Sequence, residues 1–336
     1  MRIAFVGFRH GHIFSLHKLA ARHPDVEIVA ACEDHEPTRR ELQAKRGVQP
    51  THSDYRRMLE EVQCEAVAVG DYYGRRGEIL IAALRAGRHV IADKPICTRT
   101  AELEQIAALA AEKHLSVGCQ LDMRGSAALR TARRLIAEGA IGEVHTVAFS
   151  GQHPLLYGSR PGWYFEEGKH GGTINDLAVH AVDAIPWMTG RRFVEVVAAR
   201  VWNARPDVCP HFQDGAQMML RLDSGGGVLG DVSYLAPDGC GYRLPQYWRL
   251  TCHGTEGMIE IALTDGKVHL AGGGDKSLRT IEPDPAAPDG YFEAFLREVR
   301  GEAGEISPST QDVLAATRIT LAIQQAADEN RCHVAL

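Results

Sequence analysis

Through the first third of the chain, apolar residues come in short, nearly unbroken runs at 3–6, 27–32, 65–69, 89–92 and 115–119. Runs of that length and kind read as strands covered on both faces, which is how parallel strands are packed. Between them, spacing and end signals predict helices over about 12–22, 37–46, 53–60, 76–86 and 100–113. Pro37 suits a first helical turn, Ser53 an N-cap, and Gly47 and Gly87 the residue just past a last turn. This β–α alternation implies a doubly wound parallel sheet over residues 1–122.

The pattern changes after residue 120. A helix over 126–137 puts Leu129, Ala132, Leu135 and Ile136 on one face. Strands then dominate, at 144–149, 193–202, 217–222, 227–233, 247–252, 257–261 and 267–270. Several alternate apolar and polar residues, as in Met219-Leu220-Arg221-Leu222, which predicts a sheet with one exposed face. Helices are expected over 173–188, 291–299 and 310–327, the last opened by Ser309-Thr310-Gln311-Asp312, which resembles a capping box. A loop rich in proline and aspartate is expected at 283–290. Residues 123–336 therefore read as a second α/β domain with an open, largely antiparallel sheet.

Composition narrows the function classes. The 336 residues carry a net charge of -6 with no basic block, which argues against nucleic acid as a partner. No apolar run approaches a membrane span, and the chain opens directly on a strand, with no expected signal peptide. Eight scattered cysteines without a C-x-x-C pair point to reduced thiols and a cytoplasmic protein.

Chemistry gathers at the strand ends. The first strand runs into Gly7-Phe8-Arg9-His10-Gly11-His12, and Glu33-Asp34 follows the second. Strand, glycine turn, helix, strand and a carboxylate are the layout of a dinucleotide-binding Rossmann unit. The fingerprint is altered, because Arg9 and His12 stand where the second and third small residues are usual. The helix N-terminus still offers its positive end to a pyrophosphate. Expected cofactor contacts are Gly7, Phe8, Arg9, His10, Gly11, His12, Glu33, Gly70, Asp71, Asp93, Lys94 and Gln120. Lys94 follows a parallel strand, where ligands of open sheets bind and where an ammonium can stabilise charge on a substrate oxygen; a surface turn is the bland alternative.

Asp176, His180 and Asp183 fall on the helix predicted after Gly171-Gly172, with spacings of four and three that share one face. A histidine beside a carboxylate suits general base work. An ordinary helix cap with ion pairs, or a metal site completed by His170, would use the same residues, and no metal is expected. Trp163 and Tyr164 are expected to wall a pocket or to fill the core, and Arg124 to clamp a polar substrate or make an interdomain ion pair.

Together these segments resemble the Gfo/Idh/MocA oxidoreductases. The likeness rests on Asp93-Lys94-Pro95, on Gly171-Gly172 followed by Asp176, His180 and Asp183, and on Ala83 to Val90. Gly139-Ala140-Ile141-Gly142-Glu143 and Gly254-Thr255-Glu256-Gly257 add to it. The resemblance implies hydride transfer between a nicotinamide and a secondary alcohol of a sugar, sugar derivative or cyclitol. Lys94 would bind the reacting hydroxyl, His180 would take its proton, and Asp176 would position substrate or histidine. It also implies a homodimer or homotetramer built on the open sheet. Glu33 would accept the ribose 2′-hydroxyl and favour NAD over NADP, although Arg39 and Arg40 lie close in sequence. Arg76 stands where the family usually has a histidine. An NAD-cycling glycosidase or lyase, or a non-catalytic sensor, would sit on the same fold.

Overall fold

A computed structural model describes residues 1–284, 290–302 and 307–336, so most of the loop expected at 283–290 lies outside the described residues. The chain divides into two compact units. The first comprises Met1–Gln120, Pro161–Gly171 and Tyr291–Thr317; the second comprises Leu121–Arg160, Gly172–Gly290 and Arg318–Leu336. Two stretches expected in the second domain therefore belong to the first unit. Among the described residues, no helix is long and apolar enough to cross a membrane.

In the first unit, strands β1 (Arg2–Val6), β2 (Glu27–Cys32), β3 (Ala66–Val69), β4 (His89–Ala92) and β5 (Val117–Cys119) form one sheet in the order β2-β1-β3-β4-β5. Every pairing is parallel. Helices α1 (Ile13–Arg22), α2 (Glu36–Glu41), α3 (Tyr55–Glu61), α4 (Tyr73–Arg85) and α5 (Thr100–Lys113) connect the strands. The helix expected over 37–46 is α only as far as Glu41 and continues as a π turn over Leu42–Arg46. Chain order reverses between β1 and β3, and a crevice opens at the carboxyl ends of the strands at such a switch point. Ile3, Phe5, Ala66, Ala68 and Ile91 form the core of the sheet, and Phe292, Phe295 and Leu296 of a later helix pack into it.

The second unit opens with a short 3-10 turn (Asp122–Gly125) and α6 (Ala127–Ala137). Its sheet holds β6 (Val144–Pro154), β7 (Phe193–Trp202), β8 (Gly215–Leu222), β9 (Gly227–Ala236), β10 (Arg249–Gly254), β11 (Gly257–Ala262), β12 (Lys267–Gly272), β13 (Arg279–Ile281) and β14 (Val334–Ala335). The order is β13-β12-β11-β10-β6-β9-β8-β7-β14. Among the described residues, β6 and β9 pair in parallel and the other pairings of this sheet are antiparallel. Residues alternate between buried and exposed along β8, as the sequence pattern predicts.

The helix expected over 173–188 begins as a π turn (Ile174–Ala178) and becomes α7 (Val179–Thr189). The wider turn changes the angular step per residue, so the face-sharing argument for Asp176 and His180 does not carry through it. Helix α8 (Tyr291–Val299) and the first turns of α9 (Thr310–Asp328) return to the first unit. The capping box of α9 is present: Asp312 N–H donates to Ser309 Oγ at 3.2 Å, and Ser309 N–H to Asp312 Oδ2 at 2.9 Å.

Candidate functional site

The first unit gathers its chemistry at the carboxyl ends of β1, β3 and β4. Gly7 ends β1 with φ +77°, and a Cβ there would meet Asp71 backbone and side chain at 2.7 Å. The left-handed conformation and the close approach both require glycine. Gly70 follows β3 and is held by close approach alone, since a Cβ would lie 2.4 Å from the Ile13 side chain. Gly11 has open space around it, so no steric need appears at that position. A cavity of ≈ 260 Å³ is lined by Gly7, Glu33, Asp34, Tyr55, Asp71 and Arg75. Its place beside the glycine turn suits one ribose of a dinucleotide. At the end of β5, Gln120 is buried and its Oε1 has no partner among the described residues, an acceptor suited to a cofactor donor.

The two acids after β2 differ in their surroundings. Glu33 is buried, and its carboxylate accepts N–H bonds from Phe8 (2.7 Å) and His35 (2.9 Å). Burial pushes its carboxyl up to about 7, against the pull of those bonds. Asp34 is more open, with its carboxylate 2.5 Å from Arg75 Nη1, which also lies 3.1 Å from Asp71.

Asp93 and Lys94 lie in the turn after β4, at 0% and 4% exposure. Fully buried Arg76 holds this turn from α4: Nη1 donates to the carbonyls of Asp93 (2.9 Å), Lys94 (2.6 Å) and Pro95 (3.1 Å), and Nη2 to Asp93 Oδ2 at 2.8 Å. Its Nε donates to the Asp71 carbonyl at 2.7 Å. Burial opposes the Asp93 carboxylate, but Arg76, His10 and His12 outweigh it and hold the group well below its usual range. Sequence reasoning saw Arg76 only as a replacement for histidine; a fully buried guanidinium with four carbonyls and a carboxylate is a clamp.

Trp163 and Tyr164 sit on a short turn (Gly162–Phe165) that belongs to the first unit. Trp163 Nε1 donates to the Arg9 carbonyl at 3.0 Å, so the indole lies on the glycine turn. His10, His12 and Asp93 offer ligand atoms within 4.8 Å of one another. Arg76 already neutralises that carboxylate, which works against a cation there.

In the second unit, His180 is buried with Nδ1 3.7 Å from Asp122 Oδ1, and its ring meets Trp248 edge-on at 5.4 Å. The Tyr234 hydroxyl donates to Asp176 Oδ2. His153 is ringed by Tyr234, Tyr242, Tyr247 and Trp248 at 4.9–6.0 Å between centroids. Burial, with Asp122 nearby, pushes the Tyr247 phenol up to about 12, so it stays a hydrogen-bond donor. This aromatic wall had no periodic signal in the sequence. Arg124 makes a bidentate pair with Asp183 inside the same unit, Nε–Oδ2 2.9 Å and Nη2–Oδ1 2.5 Å. Its guanidinium is buried in that pair.

Comparison with known proteins agrees with both halves. The profile of an oxidoreductase family with an NAD-binding Rossmann fold matches residues 1–120, and that of the GFO/IDH/MocA C-terminal domain matches residues 129–260. The chain belongs to the Gfo/Idh/MocA family. It is an NAD-binding oxidoreductase. A levoglucosan dehydrogenase of Pseudarthrobacter phenanthrenivorans is 24% identical over 331 residues, covering 84% of this chain and 82% of the relative. An oxidoreductase from Thermotoga maritima has the same fold, with TM-score 0.86, 24% identity and full coverage of both chains. An inositol dehydrogenase homologue from Azotobacter vinelandii, solved with NAD+, gives TM-score 0.83 at 22% identity, covering 100% of this chain and 97% of that one. In this member of the Gfo/Idh/MocA family the glycine turn keeps its close-approach geometry although Arg9 and His12 replace small residues.

Proposed function

We propose that this enzyme is an NAD-dependent dehydrogenase of a secondary hydroxyl on a sugar, sugar derivative or cyclitol. The observation that carries the reading is Lys94, 4% exposed, held in a clamped turn at the carboxyl edge of the parallel sheet. Such a buried ammonium polarises a substrate oxygen at a fixed point. Bound NAD supplies the hydride acceptor. His180 takes the hydroxyl proton, with Asp122 near its Nδ1. Asp176, fixed by Tyr234, holds a further substrate hydroxyl. The aromatic ring around His153 offers apolar faces to the C–H side of a polyol. A screen of sugars and cyclitols read at NADH absorbance tests the reading. NADH should accumulate with substrate; substrate consumed without NADH would favour the NAD-cycling alternative.

Cofactor choice rests on the acid pair. Glu33 braces the glycine turn through Phe8 N–H, and Asp34 presents its carboxylate to the ribose diol. Arg75 lies between Asp34 and Asp71, so its charge is already balanced and is not available to a 2′-phosphate. Asp34→Ala should weaken NAD binding about tenfold, the worth of one charge-assisted hydrogen bond, and narrow the preference over NADP. Calorimetry with both cofactors checks this, and an unchanged NAD affinity would return the role to Glu33.

The open sheet face carries Met219 and Leu229 at 45% and 58% exposure, beside Ala198 and Ala148 around a shallow hollow. An apolar patch on a regular sheet suits a second copy of the chain. Leu229→Asp should shift a dimer or tetramer toward smaller species in light scattering; an unaltered mass would move the interface elsewhere.

A further inference from the structure

Four segments of the first unit bring a line of polar groups together in its interior. His10 comes from the glycine turn, Tyr73 from α4, Asp93 from the Lys94 turn, and Tyr164 from the segment 161–171. The Tyr164 hydroxyl lies 2.8 Å from His10 Nε2 and 2.8 Å from the Tyr73 hydroxyl; Tyr73 is also 3.2 Å from Nε2. His10 Nδ1 is hydrogen-bonded to Asp93 Oδ2. His12 Nδ1 lies 3.2 Å from the other Asp93 oxygen.

Donor and acceptor chemistry orders this line. A carboxylate only accepts, so His10 must donate from Nδ1–H. Burial lowers the His10 pKa to about 4 in spite of Asp93, so the ring is neutral near pH 7 and Nε2 is an acceptor. A tyrosine hydroxyl therefore donates to Nε2, and Tyr164, at 2.8 Å against 3.2 Å for Tyr73, is the nearer of the two. The chain of donors ends on one buried carboxylate, which Arg76 also holds together with the backbone of residues 93–95. A metal ion would need the place of the Nδ1 proton and would add charge beside Arg76.

We infer that His10 is a positioning residue: through Asp93 it fixes the turn that presents Lys94, with Tyr164 and Tyr73 fixing the imidazole. The inference rests on the role proposed for Lys94. Apolar side chains would fill the same space at lower desolvation cost, so a buried polar hub here points to geometry rather than to stability. Misplacing a reacting group by about 1 Å costs on the order of 10²-fold in rate.

The test compares His10→Ala, His10→Asn and Tyr164→Phe, each checked for folding and for NAD affinity, with Lys94→Ala alongside. His10→Ala should lower kcat about 30-fold or more with NAD affinity retained. His10→Asn, whose amide N–H can reach Asp93 from the Nδ1 side, should recover much of the loss. Tyr164→Phe should fall between them. Nitrogen-15 spectra of the full-length wild type should give a neutral His10 with the proton on Nδ1, a readout independent of turnover. His10→Ala within about twofold of wild type would overturn the inference, as would a folded His10→Asn no better than alanine. An Nε2–H tautomer, or a metal copurifying in equal amount and lost with His10, would also overturn it. If Lys94→Ala is inactive while His10→Ala is not, the inference alone fails; if both stay active, the proposed role of Lys94 falls.

Discussion

Replacing Lys94 with alanine is expected to lower turnover about 10²–10³-fold while NAD binding stays within a few-fold of wild type, because the loss falls on an oxygen that gains charge only as the reaction proceeds. The side chain lies in a turn whose three successive carbonyls, at residues 93–95, accept bonds from Arg76. The backbone should therefore hold its shape when the ammonium is removed. Arginine should not rescue, since a planar fork cannot take the place of a point charge in a site at 4% exposure. Steady-state NADH formation and calorimetric NAD titration on the same preparation separate the two effects. Full activity in Lys94→Ala would sink the assignment.

The second large effect is structural. Arg76→Met should cost roughly 3–5 kcal/mol of unfolding free energy, because it leaves Asp93 as a buried, poorly compensated carboxylate and strips donors from four carbonyls. Urea unfolding without cofactor measures it. The pH dependence has a definite sign. In the wild type the Asp93 pKa is held below its unfolded value, so its contribution is present above the unfolded pKa and is lost as pH falls through the folded one. In Arg76→Met the folded pKa rises, and the penalty fades as acid protonates the group. The gap between variant and wild type should therefore narrow on acidification. A gap that stays constant would mean the loss comes from the carbonyls alone.

The parallel strands were legible because each is apolar on both faces; β2 and β4 have the bounds that their hydrophobic runs predict. The turn chemistry was legible too, in Gly7 and in the Ser309–Asp312 box. The π turn at Ile174–Ala178 was not, since five residues cannot distinguish its period from that of an α-helix. Lys94 and His180 could be singled out from local motifs. The His10–Tyr164 contact spans 154 residues and leaves no periodic trace. The same holds for Asp183, whose partner Arg124 is 59 residues away. Tyr164 was expected to wall a pocket or fill the core, and no local pattern announced that its hydroxyl meets His10 and Tyr73. A buried polar residue is specified by what surrounds it, and one dimension does not contain the surroundings.

Helix α8 closes the core of a unit whose first 120 residues are made long before it. Phe295 packs so closely on β5 that a Cβ on Gly118 would lie 2.8 Å from its ring. At ribosomal speeds, roughly 180 further residues take about 10–35 s to emerge, and through that time the nascent core lacks the part that Phe292, Phe295 and Leu296 supply. The first 120 residues of this unit, though translated before α8, finish folding only once residues 291–299 have been delivered.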